Sequence, residues 1–305
     1  MPRRSSESWR MSGHLFIFGY GYVASALTER LRTKGWKISA SARRLDKAGA
    51  LTAAGVAAYV FGPHGLTDFA RAMEGVTHVL ITAPPDADGD PVLKAHEQDF
   101  TSLAPDLTWI GYLSTTGVYG DAQGGWVDEG ADLAPAHERG GRRVLAEGAW
   151  AGVGEMIGAV SVTFRLPGIY GPGRSAFDQL RAGTAKRLVK PGQVFSRVHV
   201  DDIAQALDAA LYTDLTWGTV LNIADDEPAP PQDVVTEAAR LLGVDPPPEE
   251  DFELAKARLS PMALEFYSAN RRIANDLMKE LLGIELLYPT YREGLCAILA
   301  AERNG

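Results

Sequence analysis

Short apolar runs alternate with helical patterns of apolar positions from residue 14 to residue 165. The runs predict β-strands at His14–Phe18, Val56–Phe61, Val76–Thr82, Thr108–Leu113 and Val160–Arg165, with one more run that ends at Arg43-Arg44. The helical spacing predicts helices at Leu66–Met73, Val92–Leu103 and His137–Trp150. Strands that alternate with helices and are continuously apolar are typical of a parallel sheet covered on both faces, so we expect an α/β fold with a Rossmann-type doubly wound sheet.

The pattern changes beyond residue 170, where glycine and proline interrupt the segment Tyr170–Gln193. Apolar spacing then predicts helices at Asp201–Tyr212, Pro231–Leu242, Ala269–Leu282 and Pro289–Glu302, and one strand at Thr219–Ile223. We interpret this part as a smaller C-terminal substrate lobe. The expected organisation is a disordered tail (1–13), a Rossmann domain (14–170 and roughly 198–225) and the lobe (171–197 and 226–305).

A glycine-rich turn follows the first predicted strand and precedes a helical pattern, with the sequence Gly19-Tyr20-Gly21-Tyr22-Val23-Ala24. Gly19 permits a tight turn, and Gly21 lets the backbone approach a pyrophosphate. The helix that begins near Tyr22 and Val23 presents unpaired N–H groups to the anion. This strand–turn–helix unit predicts a dinucleotide site, whereas an ordinary βαβ turn that binds nothing is the simpler alternative.

The end of the second predicted strand indicates which dinucleotide would bind. A carboxylate at this position accepts from the ribose 2′-hydroxyl of NAD, but this chain has Arg43 and Arg44. Guanidinium groups bind a 2′-phosphate bidentately, so the residues predict NADP(H) in preference to NAD(H). The alternative for both arginines is a solvated loop. Ligands also bind at the loop that follows a strand end, which here is Thr82-Ala83-Pro84.

Composition limits the classes of partner. The net charge of −9 and the pI of about 5.2 argue against nucleic acid and anionic membranes, which leaves a small molecule as the expected partner. The single cysteine, Cys296, excludes an internal disulfide, fits a cytoplasmic protein, and lies in an apolar pattern that predicts a buried thiol. The six histidines lack the spacing of metal ligands, so we expect no metal.

Four further segments occur in the order that one family shows: Leu113–Gly120 (LSTTGVYG), Arg165–Gly173 (RLPGIYGPG), Val198–Ala204 (VHVDDIA) and Leu221–Ala224 (LNIA). With the glycine turn, they resemble the short-chain dehydrogenase/reductase superfamily in its extended branch of epimerases, dehydratases and reductases. The resemblance implies that Pro167 contacts the cofactor, that Tyr170 contacts the substrate, and that the Val92–Leu103 and His137–Trp150 helices form a homodimer. It implies for Tyr119 either a contact with the substrate or a structural role.

Two more residues are candidates for contact with substrate. Arg174, in the loop after Gly173, could clamp a carboxylate or a phosphate, or could be an ordinary surface arginine. His199 could serve as an active-site acid, whereas Asp201 and Asp202 are interpreted as helix caps.

The catalytic residues of the resembled family are a Tyr-x-x-x-Lys pair and a preceding serine or threonine. Thr115 matches the hydroxyl, although a strand-end hydroxyl satisfied by backbone is the alternative. In extended members of the family, the lysine lies four residues before a glutamate on the same helix. Taking Glu147 as that glutamate puts Arg143 at the lysine position and Arg139 at the tyrosine position. No tyrosine in the chain is followed four residues later by lysine. An arginine cannot release and recover a proton as a phenol does.

This departure resembles an atypical subgroup that keeps the nucleotide fingerprint and lacks the tyrosine. The sequence therefore predicts an NADP(H)-binding oxidoreductase-like protein that acts on a small hydroxyl- or carbonyl-bearing metabolite, such as a nucleotide sugar. One alternative is a non-catalytic NADP(H) sensor. Another is an NAD-dependent epimerase or dehydratase. Such an enzyme needs an acidic residue after the second strand and the catalytic tyrosine, and this chain has neither.

Overall fold

The structure is a computed structural model that describes residues 12–304, so residues 1–11 of the predicted tail lie outside the described residues. The strands are β1 (His14–Phe18), β2 (Lys37–Ala42), β3 (Ala57–Gly62), β4 (Gly65–Leu66), β5 (His78–Ile81), β6 (Trp109–Thr115), β7 (Trp126–Val127), β8 (Val160–Leu166), β9 (Gly168–Tyr170), β10 (Arg187–Val189), β11 (Arg197–His199), β12 (Thr219–Asn222), β13 (Glu249–Asp251) and β14 (Arg272–Ile273). The helices are α1 (Tyr22–Arg32), α2 (Leu45–Ala53), α3 (Phe69–Ala72), α4 (Pro91–Leu103), α5 (Glu138–Ile157), α6 (Ala176–Arg181), α7 (Val200–Ala210), α8 (Pro231–Leu242), α9 (Phe252–Ala255), α10 (Pro261–Tyr267), α11 (Asp276–Leu282) and α12 (Tyr291–Asn304).

Eight strands form the central sheet, in the order β12-β8-β6-β5-β1-β2-β3-β4. Strand β1 pairs in parallel with β2 on one side and with β5 on the other, and the pairs β2–β3 and β5–β6 are parallel as well. The order of strands therefore reverses at β1, and helices cover both faces of the sheet. This arrangement confirms the predicted doubly wound α/β sheet and makes the carboxyl end of β1 the position where such sheets bind ligands.

The core of the sheet explains why β1 is apolar throughout. All five of its residues are buried, as is required of a strand with helices on both faces. Phe18 packs edge-on against Phe100 of α4, and Phe100 packs edge-on against Trp150 of α5, with ring centroids 6.1 Å and 5.4 Å apart. Asp90 caps α4 and also accepts the indole N–H of Trp150 at 3.0 Å, so this buried carboxylate joins the two helices.

The chain divides into two compact units whose bounds differ from the predicted domain bounds. The first unit holds the described residues up to Ser114, together with Arg142–Arg165 and Ala204–Leu221. The second unit holds Thr115–Gly141, Leu166–Ile203 and the chain from Asn222 onward. Within the second unit, three parallel strand pairs form small sheets, namely β9 with β11, β10 with β13, and β7 with β14.

Three local predictions were wrong in part. The helix predicted at Ala269–Leu282 begins only at Asp276, because Arg272–Ile273 pairs instead with the distant strand Trp126–Val127. The helix predicted at Leu66–Met73 is shortened to α3, since Gly65–Leu66 forms β4 against β3.

The third wrong prediction concerns Cys296, which is exposed. The buried face of α12 is formed by Leu295, Ile298 and Leu299, and Cys296 lies outside this stripe. In addition, no helix within residues 12–304 combines the length and the apolarity that a membrane crossing needs.

Candidate cofactor and substrate sites

The glycine turn brings the ends of β1, β2 and β5 together in the first unit. Gly19 has φ of +91°, and a Cβ at this position would lie 3.0 Å from Thr82 Oγ1 and 3.1 Å from the backbone nitrogen of Ala83. The N–H of Gly19 donates to the hydroxyl of Ser41 at 3.0 Å, and the hydroxyl of Thr82 donates to the Gly19 carbonyl. Both the backbone conformation and the close approach therefore require glycine at position 19.

The start of α1 is open. Gly21 precedes α1 as its N-cap and offers no side-chain cap, and no atom lies within 4 Å of the place where its Cβ would be. Tyr22 is half-buried, whereas Val23 and Ala24 are buried against the sheet, so alanine satisfies the close packing that a third glycine often serves. The first N–H groups of α1 consequently have space in front of them, as a pyrophosphate site requires.

The two arginines after β2 differ in their surroundings. Arg44 forms a bidentate ion pair with Asp46, with distances of 2.9 Å from Nε and 2.8 Å from Nη2 to the carboxylate oxygens. Arg43 is exposed and contacts no partner within the described chain. The unpaired guanidinium of Arg43 and the open glycine turn are therefore the groups at this end of the sheet that could hold a dinucleotide.

The remaining predicted cofactor residues lie in loops. Thr82 and Ala83 are half-buried directly after β5, and Pro84 is exposed one residue later. Pro167 is half-buried between β8 and β9 and belongs to the second unit.

Arg143, at the lysine position, is anchored to the end of β6 within the first unit. Its Nη1 donates to the carbonyl of Leu113 at 2.5 Å and to the phenol of Tyr112 at 3.2 Å. Burial raises the pKa of Tyr112 to about 12, although the Arg143 guanidinium partly offsets this effect. The phenol thus stays protonated, and the guanidinium is already engaged by protein groups.

One turn further along α5, Glu147 forms a buried ion pair with Arg165 of β8. The shortest distance is 2.7 Å, from Arg165 Nη2 to Glu147 Oε2, and Ser114 Oγ donates to Glu147 Oε1 at 2.5 Å. The pair fixes α5 against the adjoining ends of β6 and β8.

Thr115 and Arg139 belong to the second unit. Thr115 Oγ1 accepts from the N–H of Gly117 at 3.1 Å and caps the short 3₁₀ turn Thr116–Tyr119, as the structural alternative predicts. Gly140 packs on the same turn, because a Cβ there would lie 3.1 Å from the Gly117 carbonyl oxygen. Its neighbour Arg139 is exposed and contacts no partner among the described residues. The second unit thus brings the Thr115 turn and the first turn of α5 together.

The four predicted substrate residues have different surroundings in the second unit. Tyr119 is buried, and its phenol donates to Asn222 Oδ1 at 2.7 Å. Arg174 is exposed, and its backbone pairs with that of Gly171. Tyr170 and His199 are neighbours, with ring centroids 5.1 Å apart in an edge-on arrangement.

Two residues next to His199 were missed by the sequence interpretation. Arg197 and Asp225 are joined by a backbone hydrogen bond from the Asp225 N–H to the Arg197 carbonyl at 2.8 Å. Burial raises the pKa of Asp225 to about 8, and the nearby Arg197 guanidinium acts in the opposite direction. The alternation Arg197-x-His199 was the available sequence signal, because it puts both side chains on one face of a strand.

A groove of about 760 Å³ runs along α4 and α5 in the first unit. None of the predicted site residues lines it. Over residues 12–304, no group of three or more histidine, cysteine, aspartate or glutamate side chains could hold a metal ion.

The fold and the glycine turn define the class. No protein-family model matches the chain. The solved dTDP-glucose 4,6-dehydratase from Bacillus anthracis, in complex with NAD, superposes with a TM-score of 0.74 at 18% identity and covers 96% of this chain and 97% of that one. This chain therefore has the fold of a solved NAD-bound dehydratase, which is the fold that the resemblance of the motifs predicts.

Within this class, two proteins are similar over nearly the whole chain. A functionally unknown conserved protein from Silicibacter pomeroyi DSS is 47% identical, with a TM-score of 0.87 over 95% of this chain and 99% of that one. Protein YeeZ from Escherichia coli (strain K12) is 30% identical over 285 residues, which are 90% of this chain and 95% of that protein. The chain belongs to the same family as Protein YeeZ.

A third relative is similar over a shorter region. The 3-diazoavenalumate denitrifying reductase from Streptomyces sp is 33% identical over 140 residues, or 44% of this chain. The match spans about half the length of that relative, 45%.

Proposed function

We propose that the chain is an NADP(H)-dependent oxidoreductase that binds NADP(H) more tightly than NAD(H) and acts on a small hydroxyl- or carbonyl-bearing metabolite. The observation that carries this proposal is the exposed Arg43, which has no partner in the described chain and follows β2 beside the open glycine turn. The cofactor class is supported by the fold, since the neighbouring dehydratase was solved with NAD.

Different residues of the chain would bind different parts of the cofactor. The first N–H groups of α1 would bind the pyrophosphate, with Gly21 leaving room for it. Arg43 would bind the 2′-phosphate, and the Thr82–Pro84 loop would lie against the cofactor at the end of β5. When bound, the nicotinamide supplies or accepts a hydride.

The arginines at the usual tyrosine and lysine positions change the catalytic chemistry. Arg139 cannot cycle a proton, but its fixed positive charge can stabilise negative charge that develops on a substrate oxygen. Thr115 would orient that oxygen through the hydroxyl hydrogen that its cap leaves available. Without a positioned acid, the reduction of an ordinary ketone should be about 10²- to 10⁴-fold slower than in an enzyme that has one. The arrangement therefore favours electron-poor acceptors, whose reduced form needs electrostatic stabilisation more than immediate protonation.

A second candidate function is a non-catalytic NADP(H) sensor. The observation that favours it is the engagement of two phenols, one in each unit: Tyr112 is buried beside Arg143, and Tyr119 donates to Asn222. In this hypothesis the bound dinucleotide changes the protein's conformation or a partner interaction without turnover. An epimerase using tightly held NAD is less well supported, because Arg43 and Arg44 replace the carboxylate that would hold the NAD ribose.

Cofactor preference is tested by titrating NADPH and NADH into the wild type and into Arg43→Ala and Arg44→Ala, with isothermal calorimetry. We expect NADPH to bind at least about tenfold more tightly than NADH, and Arg43→Ala to remove this preference, because a hydrogen bond between charged groups contributes about 1.5–3 kcal/mol. Arg44→Ala is the matched control, since its guanidinium is held by Asp46 and the expected loss is below about threefold. Equal affinities for the two cofactors, or a larger effect at Arg44, would contradict the proposal.

Turnover is tested separately by following NADPH oxidation at 340 nm with aldehydes, ketones, nucleotide sugars and a diazo compound, the last prompted by the Streptomyces relative. An active substrate supports the oxidoreductase, and Arg139→Ala should then lower kcat by about 10²-fold or more. Tight NADPH binding without turnover across the panel would favour the sensor.

We further propose that a second copy packs on the α4–α5 face. Leu145 of α5 is 75% exposed at the groove, where Leu93 and Ala149 also contribute. Analytical ultracentrifugation should show a dimer that Leu145→Glu dissociates. A monomeric wild type at micromolar concentration would refute this.

A further inference from the structure

Buried polar atoms without a hydrogen-bond partner are concentrated at one place in the second unit. Thirteen such side-chain atoms occur among the described residues. Five of them belong to four neighbouring residues and are Arg197 Nη1, His199 Nε2, both carboxylate oxygens of Asp225 and the hydroxyl of Tyr291. Buried polar groups in native proteins almost always have a partner, so a cluster of this kind indicates that something outside the chain provides it.

The fold brings these four side chains close together inside the second unit. Arg197 and His199 are alternate residues of β11 and therefore project from the same face of the strand. Strand β9 puts Gly168 opposite Arg197 and Tyr170 opposite His199, so the neighbouring position beside the guanidinium has no side chain. Asp225 is attached through its N–H to the Arg197 carbonyl. The ring of Tyr291, at the start of α12, lies 5.5 Å from the Arg197 guanidinium.

Three neighbouring residues are already engaged by other groups. Asp202 accepts from the N–H groups of Leu287 and Tyr288, at 2.6 Å and 3.2 Å. The phenol of Tyr170 is directed at the Thr290 carbonyl. Asp201 lies on the other side of the imidazole, where its N–H donates to His199 Nδ1 at 3.2 Å. The backbone of Glu227 does act on the Asp225 carboxyl group and lowers its pKa, and Arg197 donates through Nη2 to the Ala229 carbonyl at 3.4 Å.

The hydrogen-bonding character of the site follows from these contacts. Burial lowers the pKa of His199, and a neutral ring whose Nδ1 accepts carries its proton on Nε2. The cluster thus offers three donors, from a guanidinium, an imidazole and a phenol. Arg197 and Asp225 are close enough to influence each other's pKa, yet they form no ion pair, so each has room for another partner.

We propose that Arg197, His199, Asp225 and Tyr291 form a binding site for a small molecule that carries a carboxylate next to a hydroxyl group. The carboxylate accepts from the guanidinium, the imidazole and the phenol, and the hydroxyl donates to Asp225. A planar carboxylate suits one guanidinium and two neutral donors, whereas a phosphate dianion would meet the Asp225 carboxyl group with only one cation to balance its charge. This site goes beyond the proposed function and holds whether or not the chain turns over a substrate.

The test uses the full chain, with glycolate as the probe and with acetate and inorganic phosphate as comparisons. Long-range ¹H–¹⁵N NMR spectra of the imidazoles report on His199, whose signal is assigned with His199→Gln. We expect glycolate to shift the His199 Nε2 signal saturably and to bind more tightly than acetate or phosphate. A signal that does not respond to glycolate at 50 mM overturns the proposal.

Variants identify the groups that bind. Arg197→Met should weaken glycolate binding by about tenfold or more, because the charged donor is removed. Arg292→Met is the matched control: its guanidinium also lies on the Tyr291 ring, at 4.7 Å, but it is half-exposed and paired with Glu227, and we expect wild-type affinity. Asp225→Leu tests the second contact, because it removes both acceptor oxygens from a buried position, and should abolish the preference for glycolate over acetate.

Two results would count against the site even if glycolate shifts the signal. Equal affinity of wild type and folded Arg197→Met would refute the role of the guanidinium. A crystal structure soaked in glycolate that shows only water molecules at the five orphan atoms would assign the cluster to buried solvent, which also refutes the proposal.

Discussion

The buried Glu147–Arg165 pair allows a quantitative prediction about stability. The two side chains are 8% and 5% exposed, and Arg165 approaches the Glu147 carboxylate through both Nε and Nη2, with Ser114 as a third member. Removing one partner of a buried pair typically costs about 3–5 kcal/mol, because the other charge stays buried. We therefore expect Glu147→Ala to lower the free energy of unfolding by about that amount, a large part of the total of about 5–15 kcal/mol typical of proteins.

The loss in free energy of unfolding should come from leaving one charge of the pair buried without its partner, and not from the loss of either side chain as such. Glu147→Leu combined with Arg165→Met replaces the pair with apolar side chains of similar size, which is often neutral or stabilising. The double variant should consequently be more stable than either single variant. Ser114→Ala serves as a smaller perturbation, with an expected loss of about 1.5–3 kcal/mol for one hydrogen bond to a charged group.

Urea denaturation followed by tryptophan fluorescence and by far-ultraviolet circular dichroism measures these differences. Coinciding transitions from the two signals are the control for two-state unfolding. A loss below about 1 kcal/mol for Glu147→Ala, or strictly additive effects in the double variant, would refute the reasoning.

Three further predictions follow from single positions. Gly19→Ala should lower the melting temperature and weaken NADPH binding, because a Cβ would lie 3.0 Å from Thr82 Oγ1 at a φ of +91°; a variant that binds NADPH like the wild type would contradict this. Burial lowers the pKa of His78 to about 4, below its unfolded value of about 6.5, so the unfolded state takes up the proton first and this stability is lost as the pH falls from about 6.5 to 4. His14 has a similarly lowered pKa, so the test is a difference between proteins: the loss of stability from pH 7 to pH 5, measured by urea denaturation, should be about 2 kcal/mol smaller in His78→Phe than in the wild type, and an equal pH dependence of this variant would exclude the effect. Gly294→Ala should destabilise the second unit, since a Cβ there would collide with the phenol of Tyr170, and pairing it with Tyr170→Phe should restore part of the melting temperature if that contact is the cause.

Local sequence patterns were sufficient to predict the bounds of strands and helices whose buried positions are continuous or strictly periodic. The strand His14–Phe18 and the helix Pro231–Leu242 have the predicted bounds, because one is buried on all sides and the other has a regular apolar stripe. Patterns failed where a distant partner decides the conformation. Arg272–Ile273 could continue a helix, but pairing with Trp126–Val127 makes it a strand.

The same distinction applies to the candidate sites. The chemistry of the glycine turn is local, since the φ of Gly19 and the open helix start depend on neighbouring residues, and this part of the site could be predicted from the sequence. The difference between Arg43 and Arg44 could not be predicted, because it depends on which guanidinium reaches Asp46. The environment of Thr115 likewise depends on how its side chain caps the following turn.

By itself, the sequence determined the fold class, the dinucleotide fingerprint and the loss of the Tyr-x-x-x-Lys pair, because each depends on residue type at a short, fixed spacing. Only the tertiary structure decided that Arg143 is anchored to Leu113 and that Arg197, His199, Asp225 and Tyr291 lie close together. These contacts join residues far apart in the chain, and burial and hydrogen bonding between such residues arise only when the strands and helices pack.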